Sequence, residues 1–345
     1  MNYKRAIMIV CLVAVCCNAQ ELAFRAKVFD SETREAVSNV EIVASFRDVN
    51  FAKGDGWKFT EKVQKTDEGG VACFSGSSSS GFAECLFKGN GEYYKSLPVA
   101  VEGGKGADAD AGASRFFVPK KWVVTNDVMI ALKRVVNPIP LRMKCCNIKL
   151  KDDMSAACKG VLSYDLMCGD WLPPFGNGQV ADVEFRRLPH EDLGEVLNVN
   201  GKPRRMGRDS VLIRFLGADN GLVQCQSDPS ATLRIREAPV DGYVQEHSIW
   251  FMIDKNLRGR KSDDYNAAFA FRVRTKRNER GEIVEAYYGK IYGNPQLNNV
   301  GSVIKGVWFM YYLNPESLDR NLEWDMKTNL LPGVKPMAYW GKLMP

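Results

Sequence analysis

The chain carries little of the usual apparatus of catalysis, and what it carries is mostly carboxylate and aromatic. It has two histidines among 345 residues. His190 lies in a turn-like stretch, 188–192, and His247 stands just before an apolar run. Neither sits in a His-x-x-Glu or His-Glu-x-x-His spacing, so zinc-peptidase chemistry has no visible site. There is no Gly-x-Ser-x-Gly elbow and no phosphate loop. Paired carboxylates need no motif, because a glycosidase requires only two acids at the right separation. Asp165, Asp170, Asp182, Glu184, Glu323 and Asp325 lie near aromatics and are the candidates. Nothing in the sequence selects two of them, so no catalytic residue, metal or cofactor is assigned and no enzymatic activity is expected.

Aromatics suggest a different chemistry. Sugars present flat C–H faces that tryptophan and tyrosine rings can cover, while amides and carboxylates take the hydroxyls. The expected ligand-binding set is Trp171, Phe175 and Trp324, with Asp170 and Asn177 as polar neighbours. Trp171 is the best of these, since it lies in a loop rich in glycine and proline, 169–178, where binding residues concentrate. The competing reading is that such rings fill the core of a large β-domain. It is preferred for Tyr287, Tyr288 and Tyr292, and both readings stay open for Trp171. The basic stretch 201–208 and the loop 103–114, with Asp108 and Asp110, read as solvated loops. An anionic polymer and calcium are the respective alternatives.

Residues 1–19 read as a signal peptide. Lys4 and Arg5 form the positive end, 6–15 is an apolar run too short to span a bilayer, and Cys17-Asn18-Ala19 supplies small residues for cleavage after Ala19. Lipid attachment at Cys16 or Cys17 is the alternative. No later stretch is long and apolar enough for a membrane helix. The formal charge of +6 is mild and comes without a basic stripe interleaved with aromatics, so no nucleic-acid partner is expected. Of the 10 cysteines, those that follow the signal are Cys73, Cys85, Cys145, Cys146, Cys158, Cys168 and Cys225. Export permits disulfides. Cys73 with Cys85 is the first candidate pair, because they flank the loop 76–81, and Cys158 with Cys168 is the second. Free buried thiols are the alternative.

The elements that must position these residues are strands. In 266–276, Ala267, Phe269, Phe271, Val273 and Thr275 alternate with Arg272, Arg274 and Lys276, the period of a half-buried strand. A turn through Gly281 and a second strand at 283–292 make a hairpin. The run 307–313 is apolar or aromatic throughout and suits a central strand covered on both faces. Strands at 210–216 and 222–225 read as another hairpin. Before residue 134, about seven short strands separated by turn residues suggest a small sandwich.

Four motifs in that first part carry a resemblance: Val28-Phe29-Asp30, Val37-Ser38-Asn39-Val40, Thr66-Asp67-Glu68-Gly69 and the closing strand 128–132. Together they resemble the carboxypeptidase regulatory-like domain, a transthyretin-like sandwich, over residues 21–134. The resemblance implies a non-catalytic scaffold beside another domain and no active site. The long insertion at 103–114 departs from the family pattern.

The expected organisation is all-β. A signal peptide (1–19) precedes a transthyretin-like sandwich (20–134) and a proline-containing linker (135–140). A larger, mostly antiparallel sandwich or jelly roll follows (141–345). The expected role is an exported, non-catalytic cell-surface or periplasmic protein that is structural or binds a partner, with a glycan or a surface protein as that partner. A carbohydrate-binding module and a carboxylate-based glycoside hydrolase are the alternatives.

Overall fold

The computed structural model describes residues 20–50, 56–78, 81–96, 99–102, 121–124, 126–149, 161–189, 191–199, 202–225, 235–253, 259–261, 268–292, 295–300 and 303–334. Every regular element among them is a β-strand, so the all-β expectation is met. No helix among the described residues is long and apolar enough to cross a membrane. The chain divides into two compact units, Met1–Leu132 and Lys133–Pro345.

The first unit holds β1 (Gln20–Asp30), β2 (Glu41–Asn50), β3 (Gly56–Lys65), β4 (Val71–Ser78), β5 (Phe82–Phe87), β6 (Val99–Glu102), β7 (Lys121–Val123) and β8 (Val128–Leu132). One sheet runs β4-β1-β7, with β8 also on β1, and the other runs β3-β2-β5-β6. Alternation places Leu22, Phe24, Ala26 and Val28 opposite Ile42, Ala44 and Phe46, and these side chains form one core. Phe24 stacks on Phe74 at 5.3 Å between ring centres. The quoted motifs do local work here. The Asp30 carboxylate accepts the N–H groups of Glu32 and Thr33. Thr66 donates to Val37 O and accepts from Val40 N–H. Gly70 holds φ +73° against the Val28 carbonyl, 2.4 Å from where a Cβ would stand.

The second unit holds β9 (Ile139–Lys149), β10 (Val161–Asp165), β11 (Asp170–Trp171), β12 (Val183–Arg187), β13 (Glu191–Val199), β14 (Lys202–Phe215), β15 (Gly221–Cys225) and β16 (Glu246–Ile253). It continues with β17 (Gly259–Lys261), β18 (Ala268–Arg277), β19 (Ile283–Tyr292), β20 (Gln296–Val300), β21 (Val303–Leu313) and β22 (Trp324–Asn329). One seven-stranded sheet runs β11-β10-β12-β14-β16-β17, with β13 on β14. The other runs β15-β18-β19-β21-β9-β22, with β20 on β21. The main core lies between the sheets and contains Tyr164, Phe185, Phe215, Phe271, Phe309 and Tyr311. The second sheet is also covered on its other face, where Met143, Met310 and Tyr312 meet Trp324, and Ala270 and Tyr288 meet Leu322. Hence 307–313 is buried at every position, as a strand covered on both faces requires.

Four expectations are corrected. The strands 210–216 and 222–225 do not form a hairpin: β14 pairs with β12 and β16, and β15 pairs with β18 in the other sheet. The connection between them is a crossing held in place by β18. Arg272 donates to Asp219 O, Thr275 N–H to the Asn220 side chain, and Arg277 makes two bonds to the Asp219 carboxylate. Second, the basic stretch 202–208 is not a loop but the start of β14, paired with β13. Third, residues of the expected linker 135–140 belong to the second unit. Val136 and Asn137 donate to the Glu323 carboxylate, and β9 starts at Ile139. Fourth, β18 is not half-buried with its arginines toward solvent. Arg272 is buried, and the register of β18 shifts after Val273, where Arg274 takes φ +55°. Such a bulge inserts a residue and turns the following side chains to the other face. One of the short strands read before residue 134, at 115–118, and the loop with Asp108 and Asp110 lie outside the described residues.

Gly289 marks the tightest point of the hairpin. The Phe271 ring of β18 lies across it, closer than a Cβ there would allow, and the Tyr312 carbonyl of β21 is 2.5 Å from where that Cβ would stand. Gly289→Ala is expected to destabilise the protein by about 1–3 kcal/mol or more through overpacking, read by urea denaturation. An unchanged midpoint would show that the hairpin relaxes freely.

Candidate functional site

The densest charged constellation lies at one end of the main core and joins the two sheets of the second unit. Asp165 ends β10, Asp182 precedes β12, and Arg274 occupies the bulge of β18. The Arg274 guanidinium donates to Asp165 Oδ1 at 2.7 Å and to both Asp182 oxygens at 2.8 and 3.0 Å. Two of the candidate acids are thus brought together, but with a cation between them and not across an open cleft. Their side chains are 1% and 2% exposed, against 25% for Arg274. Their remaining lone pairs are used. Asp165 Oδ1 also accepts from the N–H groups of Met167 and Cys168, and Oδ2 from those of Gln179 and Val180. Asp182 Oδ2 accepts from Leu166 N–H. One carboxylate therefore pins both ends of the loop between β10 and β12.

The electrostatics follow from these contacts. Burial raises the Asp165 carboxyl, but the backbone N–H groups of Cys168, Val180 and Gln179 outweigh it and hold it below the ordinary carboxylate range. At Asp182 burial wins over Arg274 and raises the carboxyl. Burial lowers the Arg274 guanidinium, while the hydrogen bond to Asp182 and the charges of both aspartates raise it further, so it stays cationic. A general acid or base must be able to reach a substrate proton. These two carboxylates reach backbone and arginine.

The other candidate acids have structural partners or stand apart. Asp170 accepts from Trp171 N–H and, through its second oxygen, from Asn177 N–H, closing the loop 170–177 on itself. Glu323 is buried and holds 136–137. Asp325 caps its own turn through Lys327 and Thr328 N–H. Glu184 lies on the outer face of its sheet, opposite Arg214. His247 packs its ring 5.2 Å from Phe269, and His190 lies outside the described residues.

The expected sugar-binding face does not assemble. Trp171 is 9% exposed and belongs to the main core, its ring edge-on to Tyr164 at 4.8 Å and 5.7 Å from Phe185. Its loop folds inward because Asp170 and the close approach of Gly176 and Gly178 to the Trp171 and Asp170 carbonyls leave no room to open. Phe175 packs half-buried against the same core. Trp324 is wholly buried on the far face of the second sheet, 5.2 Å from Tyr312, with its indole N–H bonded to Thr328 O. Asn177 is exposed, while of the expected aromatics Trp171 and Trp324 are buried and Phe175 is partly so. Tyr288 is buried, in agreement with the core reading. A half-exposed tryptophan that the sequence reading passed over is Trp250, on the outer face of β16, with the Arg208 guanidinium 6.0 Å over its ring. Its signal was the alternation with buried Ile249.

The pairing of Cys73 with Cys85 is also corrected. Both are free. Cys73 is exposed on β4 and Cys85 is buried on β5, in different sheets. The strands that flank the loop 76–81 are sequential but not hydrogen-bonded to each other, and their cysteines point to different environments. Cys168 is free and exposed, and Cys158 lies outside the described residues. Burial pushes the Cys85 thiol up to about 12, against a weaker backbone hydrogen bond from Leu86. Burial also raises Cys146, whose thiol bonds to the Tyr164 hydroxyl at 3.0 Å.

Three outcomes are expected. Arg274→Met, which leaves two buried carboxylates without their cation, should cost about 3–5 kcal/mol in urea denaturation. A loss below about 1 kcal/mol, the worth of an exposed pair, would contradict the burial of the cluster. Asp165 is more acidic folded than unfolded, so its contribution is present above its unfolded value and lost as the pH falls through its folded value. The stability gap between wild type and Asp165→Asn should therefore be widest near neutrality and close only below the ordinary carboxylate range. For the thiols, iodoacetamide should modify Cys73 in the folded protein and reach Cys85 and Cys146 only after unfolding. Protection of Cys73 that is released by a reductant would restore the disulfide.

No family model and no curated protein matches the chain. Among solved structures it is similar to the shaft pilin spaA from Lactobacillus rhamnosus GG, in a mutant form. Identity is 11%, the match covers 74% of this chain and 88% of the pilin, and the TM-score is 0.19. A score that low lies below the level of a shared fold, and the pilin bears on neither the fold nor the role of this chain.

Proposed function

We propose that this is an exported, non-catalytic protein of the cell surface or periplasm with a structural or partner-binding role. The observation that carries the reading is the fate of the candidate acids. Asp165 and Asp182 are closed over by Arg274 and by backbone N–H groups, and Glu323 is taken up by 136–137. A hydrolase leaves its two carboxylates facing a common space for substrate and water. Export is supported by the pattern of 1–19, a positive end, a short apolar run and small residues before Gln20. The first unit is read as a carboxypeptidase regulatory-like scaffold. Its support is the structural work of the quoted motifs: Asp30 and Asp67 cap turns, and Thr66 ties 37–40 to the sheet.

The test combines localisation with activity. The chain expressed in its own cells is expected in the envelope or the medium, with Gln20 at its N-terminus. Purified 20–345 is expected to release no sugar from a polysaccharide panel. Retention in the cytoplasm with residues 1–19 attached would overturn export. Product release that Asp170→Asn or Asp325→Asn abolishes, with the melting temperature unchanged, would overturn the non-catalytic reading.

A further inference from the structure

One concavity in the first unit has the makings of a ligand subsite. It lies where β2 starts and β3 and β5 end, and encloses about 270 Å³. That is just below the range of about 300–1,000 Å³ for sites that take drug-sized ligands, so it suits a single ring. Its exposed apolar surface is Val63, beside the buried Val43; Phe87 borders it, but its side chain belongs to the interior core. Val63 is 51% exposed there, although its cross-strand partner Val43 is buried. Around this surface stand Asn39, Glu41, Lys65 and Asn90.

The backbone of the site is fixed in advance. Thr66 ties 37–40 in place through both its hydroxyl and its main chain. Asn90 Oδ1 accepts from Glu92 and Tyr93 N–H, which leaves its NH₂ group to donate outward. Ser96 holds Phe87 N–H at 2.8 Å. The charged groups are not consumed in this way. Glu41 and Lys65 sit opposite each other in the β2–β3 register, yet among the described residues neither makes an ion pair. The neighbouring Lys88 is 3.8 Å from Glu61, a loose and exposed contact.

These features restrict the ligand. A carboxylate only accepts hydrogen bonds, so Glu41 calls for a donor such as a hydroxyl. An ammonium only donates, and an unpaired one favours an anion. The amides of Asn39 and Asn90 suit hydroxyls, and the exposed Val63 side chain suits the apolar side of a ring. We propose that this cleft binds one acidic sugar ring, a hexuronate unit of a polysaccharide, with its carboxylate at Lys65 and its hydroxyls at Glu41 and the two amides. The inference is independent of the functional reading above, because a subsite in the first unit could serve a scaffold or an enzyme alike.

Titration of 20–345 with a trigalacturonate, a neutral galactose trisaccharide and a triglutamate peptide tests it. The acidic sugar should bind and the other two should not. Lys65→Glu should weaken binding by about tenfold or more, the loss expected for one charge-assisted contact. Glu41→Ala should also weaken it, although that change makes the cleft more positive. Lys27→Glu, the same charge change on β1 in the other sheet, should leave binding and melting temperature as in wild type. The proposal is overturned if trigalacturonate does not bind, if the neutral sugar or the acidic peptide binds as well, if Glu41→Ala strengthens binding, or if Lys27→Glu acts like Lys65→Glu.

Discussion

Arg274 is the residue on which the second unit turns. It projects from a bulge in one sheet and bridges two carboxylates rooted in the other. Two anions and one cation leave the cluster a net negative charge, which an apolar interior would not tolerate unaided. The balance comes from backbone N–H groups aimed at Asp165 and Asp182. The geometry that satisfies the charge also fixes the course of 166–182, and with it the seat of Trp171 in the core. A loop that would otherwise be free to present a tryptophan is tied down by the aspartate at its base.

The arginines of β18 show a division of labour. Arg272 and Arg277 hold the crossing 216–220 through Asp219, while Arg274 holds the sheets together. The bulge makes this possible. Without the inserted residue, Arg274 would keep the parity of Arg272 and point away from Asp165 and Asp182. A non-glycine residue at φ +55° is unfavourable by itself, and the three charge-assisted bonds it enables offset that cost.

Period-two alternation was enough to read the hairpin of the second unit, because a buried face imposes it. It located β18 and β19 closely, and the unbroken apolar run located β21. It failed where geometry depends on contacts distant in sequence. The connection 216–221 looks like a hairpin turn, but which sheet the next strand joins is decided by Arg272, Thr275 and Arg277 more than fifty residues later. The Trp171 loop has the composition of a binding loop, and only the partners of Asp165 and Asp170 reveal that it folds inward. A second covering of the β21 sheet, by Leu322 and Trp324, accounts for aromatics that looked available for ligands. The dense run of arginines in β18, with aspartates at the ends of β10 and the segment before β12, was the legible trace of the clamp.

Both units match buried acids to backbone N–H groups, Asp30 in the first and Asp165 in the second, but they differ at their rims. In the second, buried acids are matched one by one to N–H groups and arginine, and the loops they anchor are closed. In the first, side chains such as Thr66 and Asn90 bond the backbone and stiffen the ends of β2, β3 and β5. Beside them, Glu41 and Lys65 are left facing water across an apolar recess. A rigid frame with exposed polar groups at its rim is what a preorganised site needs, since ordering costs are met before the ligand arrives. The second unit's aromatics drew attention in the sequence, but they are bound into its cores. The cleft proposed above lies in the small sandwich, whose residues looked purely structural when read in order.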